Sequence, residues 1–252
     1  MYLNNSPLDQ FEIRNILNLN ILQNINFSFT NMSLYLIITS SIVILLYLIN
    51  DNYSKIVSNE SSVTQESVYA TIYSVVTNQI DENKGQMFFP FMYTLFVFIL
   101  ANNLVGMVPY SFATTSHFIV TFSLSFTVVV GATVLGFATH FSKFFSLLVP
   151  SGCPLALLPL LVIIEFISYL ARNVSLGLRL AANILSGHML LNILSGFTYN
   201  IMNSGILYFV IALLPLSFII AFSGLEVGIA FIQAQVFVVL SCSYIKDGLN
   251  LH

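Results

Sequence analysis

The sequence predicts an all-α, polytopic membrane protein: about four roughly perpendicular or surface helices, plus two long tilted helices forming a hairpin. Three observations carry this. Hydrophobic residues make up 57% of the 252 positions and charged residues only 7%, against about 25% charged in a soluble domain. So few charges cannot cover the surface of a water-soluble globule of this size. Apolar runs long enough to cross about 30 Å of hydrocarbon recur along the chain, and two runs in its second half are far longer than one crossing needs. The net charge of −3 comes with no basic block, which excludes a nucleic-acid grip. Cys153 and Cys242 stand in apolar surroundings without metal-ligand spacing and read as small buried hydrophobes.

The elements follow in order. Ser6-Pro7-Leu8-Asp9 reads as a helix start, with a serine cap, proline at the first position and an acid in the first turn. The first span is 33–49. Residues 51–87 are the most polar part of the chain, yet Val68, Ile72, Val75, Val76 and Ile80 recur there at helical spacing. They predict a helix over 66–80 lying on the membrane surface. The next spans are 88–108 and 117–139, separated by Pro109-Tyr110-Ser111 and a Thr-Thr-Ser cluster. Prolines 150, 154 and 159 predict broken backbone between Phe144 and Pro159.

From Pro159 to Pro215 there is no proline. Leu160–Tyr199 alone would make about 60 Å of helix, twice the hydrocarbon thickness. Long helices over 155–199 and 206–247, steeply tilted, are the expectation for a single membrane domain covering the chain. If spans alternate, Lys55, Lys84 and Lys143 share one side, which the positive-inside rule makes the cytoplasmic or matrix side.

Charge is rare enough here for each instance to need a reason. A charged residue at mid-membrane costs about 2.5 to 3.5 kcal/mol on the insertion scale, and arginine cannot escape by losing its proton. Seven residues make nearly two turns, so Glu165, Arg172 and Arg179 line one face of a helix, with Asn183 in the same stripe. That is a polar seam expected to pack against something. Arg172, nearer the segment start, can equally snorkel to the headgroups. On the second long segment Glu226 and Gln233 share a face, and Tyr244 and Asp247 continue it with drift. His188, nine residues after Arg179, points to the opposite face, where it stands near Asn192 and can meet the second segment. An imidazole titrates in the physiological range and can pass protons. Asn183 and Gln233 read equally well as interhelical glue. His117, His140 and His252 stand at element ends, and no cluster has metal-ligand spacing.

Ser175-Leu-Gly-Leu-Arg-Leu-Ala-Ala-Asn-Ile-Leu-Ser-Gly-His188 closely resembles the arginine segment of subunit a of F-type ATP synthases. Ser6-Pro-Leu-Asp-Gln-Phe-Glu-Ile-Arg14 resembles the fungal mitochondrial form, and Leu225-Glu-Val-Gly-Ile-Ala-Phe-Ile-Gln233 and Ser243-Tyr-Ile-Lys-Asp247 continue the likeness over the whole chain. The resemblance implies a multi-pass stator subunit in the mitochondrial inner membrane, beside a rotating ring of c subunits that each carry one membrane carboxylate. It implies partners among the other stator and membrane-sector subunits, and a short leader removed before Ser6. Arg179 is then the fixed cation facing the ring. Glu226 and His188 belong to the half-channel from the intermembrane space, supported by Asn183, Gln233 and Asp247, and Glu165 to the half-channel toward the matrix. No catalytic residue, metal, cofactor or bound nucleotide is expected, since the chain has no P-loop.

Two rivals can be weighed. An ion-coupled secondary transporter or channel with a midplane Arg/Glu site predicts paired broken helices in internal repeats, and the halves show no convincing repeat. A serine hydrolase at Ser186-Gly187-His188 fails on geometry, because residues two apart on a helix point about 200° apart.

Overall fold

The computed structural model describes residues 8–22, 25–50, 59–80, 82–108, 111–141, 144, 149 and 157–249. Within them are six helices: α1 (Asn31–Asn50), α2 (Glu60–Ile80), α3 (Glu82–Gly106), α4 (Phe118–His140), α5 (Leu158–Met202) and α6 (Ile206–Leu249). Five are long and apolar enough to cross a membrane, α2 being the exception. The fold is all-α apart from one hairpin. Most of the segment with three prolines, together with Cys153, Lys55, Lys143 and His252, lies outside the described residues.

The start of the chain departs from expectation. Ser6 and Pro7 lie outside the described residues, and the helix they announce is a single 3-10 turn, Asp9–Phe11. It is followed by an antiparallel pair, β1 (Asn15–Leu22) with β2 (Ile25–Thr30). The signal was present: Ile25, Phe27 and Phe29 alternate with Asn26, Ser28 and Thr30, a period of two that fits a strand. The turn before β1 is held to α1. The Asn31 side chain accepts from the Arg14 N–H (3.2 Å) and donates to the Glu12 carbonyl (3.0 Å).

α5 is one unbroken helix of 45 residues, about 68 Å at 1.5 Å per residue. Such a helix cannot stand along the bilayer normal and stay within about 30 Å of hydrocarbon. It stops at Asn203-Ser204-Gly205, where Gly205 takes φ +147°, open only to glycine. α6 then runs 44 residues through Pro215 without breaking.

The described chain forms two compact units. One comprises Met1–Leu46, Phe98–His117 and Ala181–Gln233. Its buried polar knot is Asn102, whose side-chain oxygen accepts from Thr39 (3.1 Å) and Thr114 (2.9 Å) while its amide donates to the Phe98 carbonyl (2.8 Å). Thr39, Asn102 and Thr114 are buried, so α1, α3 and the turn before α4 are tied where no water competes.

The other unit comprises Tyr47–Val97, Phe118–Leu180 and Ala234–His252. There the apolar face of α2, with Ile72, Val76 and Ile80, is buried. A side chain at Gly85 of α3 would meet Val76 at 3.4 Å, and Tyr69 and Tyr73 pack edge-on against Phe89. Protein therefore covers the face that periodicity picks out, and α2 reaches further back than 66–80, to Glu60. Hydrophobicity does little to press helices together in lipid, so small residues set their approach. A side chain at Gly177 would meet Ser125 Oγ at 3.0 Å and the Phe122 Cα at 3.3 Å, and one at Gly248 would meet the Ala132 carbonyl at 2.8 Å.

Asn102→Ala removes the acceptor of the buried Thr114 hydroxyl. An orphaned buried polar group costs about 1–3 kcal/mol. The purified variant should aggregate at a lower temperature in detergent than the parent, and equal thermal stability would show that the knot does not hold these elements.

Candidate functional site

Two polar clusters stand out, one in each unit. In the first unit, α5 supplies Asn183 and His188, and α6 supplies Glu226 and Gln233. Residues 226, 230 and 233 fall on one face of α6 at helical spacing, and that face is buried. Asn183 Nδ2 donates to Gln233 Oε1 at 3.0 Å. His188 Nε2 lies 3.8 Å from Glu226 Oε1, with the side chains 16% and 6% exposed. That is too long for a hydrogen bond and short enough for a small side-chain movement or one water to join them. The approach depends on Gly187: a side chain there would stand 2.5 Å from Glu226 Oε1 and 2.9 Å from its carboxyl carbon. From α3, Asn103 Nδ2 donates to the Ala230 carbonyl at 3.4 Å.

This seam is rich in unsatisfied polar atoms. His188 Nε2, both Glu226 oxygens, Gln233 Nε2 and Asn103 Oδ1 are buried without a hydrogen-bond partner among the described residues. Native proteins hold few such groups, and each asks for a reason. Two cavities give one. The larger, about 750 Å³, is lined by His188, Asn192 and Ser195 of α5 and by Asp9, Glu12 and Arg14 of the N-terminal segment. The smaller, about 420 Å³, is lined by Asn183, Glu226 and Gln233. His188 faces one and Glu226 the other, so the pair stands between them.

In the second unit, Arg172 sits between two carboxylates. Its guanidinium is 3.1 Å from Glu165 and 3.6 Å from Asp247, the three side chains being 42%, 40% and 37% exposed. The charges of Arg172 and Asp247 also act on the hydroxyls of Tyr169 and Tyr244. Arg179 is in this unit too, and its charge reaches Tyr244. Among the described residues it pairs with no carboxylate. It is exposed, while Leu176, Leu180 and Ala181 beside it are buried.

Several expectations change. Asp247, expected to continue the Glu226 face with drift and to support its half-channel, pairs with Arg172. Three steps of seven residues from 226 to 247 accumulate about 60° of drift on a straight helix, which moves Asp247 off that face. Among the described residues, both arginines of the seam of Glu165, Arg172 and Arg179 are left exposed. Arg172 has carboxylate partners within reach, so it need not snorkel. Gly187 is a site residue that sequence reasoning missed, although its place beside His188 on a face meeting a second helix was a signal. Of the other histidines, His117 and His140 are described. His117 stacks on Phe112, and burial holds its pKa below the usual imidazole value. His140 lies 2.9 Å from the Leu249 carbonyl at the end of α6. The described residues hold no group of His, Cys, Asp and Glu that could bind a metal ion.

The family described as ATP synthase A chain matches residues 32–246. ATP synthase subunit a of Penicillium chrysogenum is 70% identical over 98% of this chain and 97% of its own length. That of Cochliobolus heterostrophus is 72% identical over the same shares. That of Neurospora crassa is 68% identical over 98% of this chain and 95% of its own. The chain belongs to the ATP synthase subunit a family, the proton-conducting stator subunit of that enzyme's membrane sector.

Proposed function

We propose that the two polar clusters are the two half-channels, and that Arg179 is the fixed cation facing the carboxylates of a ring of c subunits. The carrying observation is the position of Arg179. Its guanidinium is exposed on a helix that must lie in lipid, with no carboxylate of this chain paired to it among the described residues. A charge so placed costs several kcal/mol unless an anion meets it, and a carboxylate on a neighbouring subunit would supply that anion. The membrane is the mitochondrial inner membrane, and the chain assembles there with the other subunits of the synthase.

On the inlet side, a proton from the larger cavity is taken up by His188, passes to Glu226, and leaves through the seam of Gln233 and Asn183 to a ring carboxylate. Both relay groups titrate, and neither is locked in a short ion pair. The neutral ring carboxylate can then travel through lipid. On meeting Arg179 it ionises, because a nearby cation favours the carboxylate form, and its proton is released on the outlet side toward Glu165. Asp247 joins Glu165 there, with Arg172 between them to hold two acids close without mutual repulsion. Arg179 itself never carries the proton, since arginine stays charged throughout.

Three substitutions test this. Arg179→Ala should abolish proton-driven ATP synthesis while the soluble head still hydrolyses ATP; near-normal synthesis would sink the proposal. Glu226→Gln should slow synthesis without lowering the amount of assembled enzyme, and normal turnover would remove Glu226 from the path. Gly187→Ala should displace the Glu226 carboxyl from its contact with α5 and slow synthesis about ten- to a hundredfold, on the scale that an ångström of misplacement carries. An unaffected rate in an assembled Gly187→Ala enzyme would mean that the tight approach is not used.

A further inference from the structure

We infer that Phe11, in the N-terminal turn, is a positioning residue for His188. The inference rests on the reading of His188 as the inlet relay. The Phe11 ring meets the His188 ring edge to face, with centroids 6.3 Å apart and planes at 77°. It is the described aromatic contact of His188, which otherwise has its Nε2 buried and unpartnered, 3.8 Å from Glu226. Such edge-on pairs contribute about 0.5–1.5 kcal/mol and prefer a defined geometry, enough to favour one ring orientation over its alternatives.

Phe11 is not a loose end brought there by chance. The backbone that follows it is fastened to the first turn of α1: the Asn31 N–H donates to the Arg14 carbonyl at 3.1 Å, and the Asn31 side chain binds both Glu12 and Arg14. Arg14 in turn pairs with Glu12 at 3.1 Å. The turn thus forms a wall of the larger cavity, which His188 also lines. The charged groups on this wall are Asp9, Glu12 and Arg14, and the charged group facing His188 from α6 is Glu226. With Glu12 and Arg14 paired, the wall keeps the acid Asp9, while the groups that meet the His188 ring itself are the Phe11 ring on one side and the Glu226 carboxyl on the other. A ring in that position keeps the imidazole turned toward Glu226 and limits how it swings into the cavity.

The test uses the assembled enzyme in proteoliposomes, with ATP synthesis measured as a function of pH on the inlet side. Phe11→Leu keeps bulk and loses the ring; Phe11→Tyr keeps the ring. The expected result is that Phe11→Leu slows synthesis about three- to tenfold and shifts the inlet-side pH profile, while Phe11→Tyr restores both. In a His188→Gln background, Phe11→Leu should add no further loss. A purely structural role would lower assembly without moving the pH profile. Loss of assembly in both Phe11 variants, or a Phe11→Leu profile identical to the parent's while His188→Gln is slow, overturns the inference alone. If His188→Gln itself leaves rate and profile unchanged, the inlet reading falls and takes the role of Phe11 with it.

Discussion

A guanidinium that cannot discharge, carried on a helix that must cross hydrocarbon, sets the terms for the rest of this chain. The cost of a lone charge in the membrane is several kcal/mol, a sizeable share of what holds a domain together. Arg172 meets this constraint within the chain, between Glu165 and Asp247. Glu226 is placed beside His188, both being groups that can exist without charge. Arg179 has no such arrangement among the described residues and faces outward. Among the described residues Arg179 is thus a charge left without an opposite one, and in the proposed mechanism that is where a moving partner's carboxylate is held.

The proposed division of labour follows from the titration chemistry of the side chains. A relay must both accept and release a proton, which suits histidine and a buried carboxyl. A barrier between two half-channels must do neither, which suits arginine. The geometry also separates the two kinds of contact. The Arg172–Glu165 pair is short at 3.1 Å, whereas His188 and Glu226 are held at 3.8 Å. A relay locked in a short ion pair would hold its proton; one held just beyond hydrogen-bond length can make and break its contacts. One charge moved across 100 mV supplies about 2.3 kcal/mol, so a relay that bound its proton much more tightly than that would stall.

Much of this was legible in the sequence because helices have a fixed period. The seven-residue step from Glu226 to Gln233 and the opposed facing of Arg179 and His188 correctly bring α5 and α6 into contact at Asn183–Gln233 and His188–Glu226. Over a longer reach the same arithmetic carries drift, and it did not say that Asp247 would pair with Arg172. It also said nothing of which neighbour covers a face: the apolar face of α2, with Ile72, Val76 and Ile80, is buried by protein. The hairpin 15–30 was missed: a helix start was read at Ser6–Asp9, and the short alternation that follows was not read as a strand. Signals at an element's first turn say where a helix can begin, not how far it continues.

The glycines show how such a site can be held in a solvent that gives apolar surfaces little reason to associate. Polar pairs between membrane helices contribute modestly, about 0.6 kcal/mol on average in one measured case. A single Asn183–Gln233 hydrogen bond is therefore a weak clamp. Close backbone approach supplies the remainder through van der Waals contact, and it requires missing side chains at chosen points. Gly177 lets α5 reach Ser125 and Phe122 of α4, and Gly248 lets α6 reach Ala132. Gly187 differs from both, because the atom that would strike its side chain is a carboxylate oxygen of Glu226 rather than a packing group. There the omission of a side chain serves the chemistry directly. It sets how near the Glu226 carboxyl can come to α5, the helix that bears His188, and so, in the proposed mechanism, it links the packing of α5 to the path of the proton.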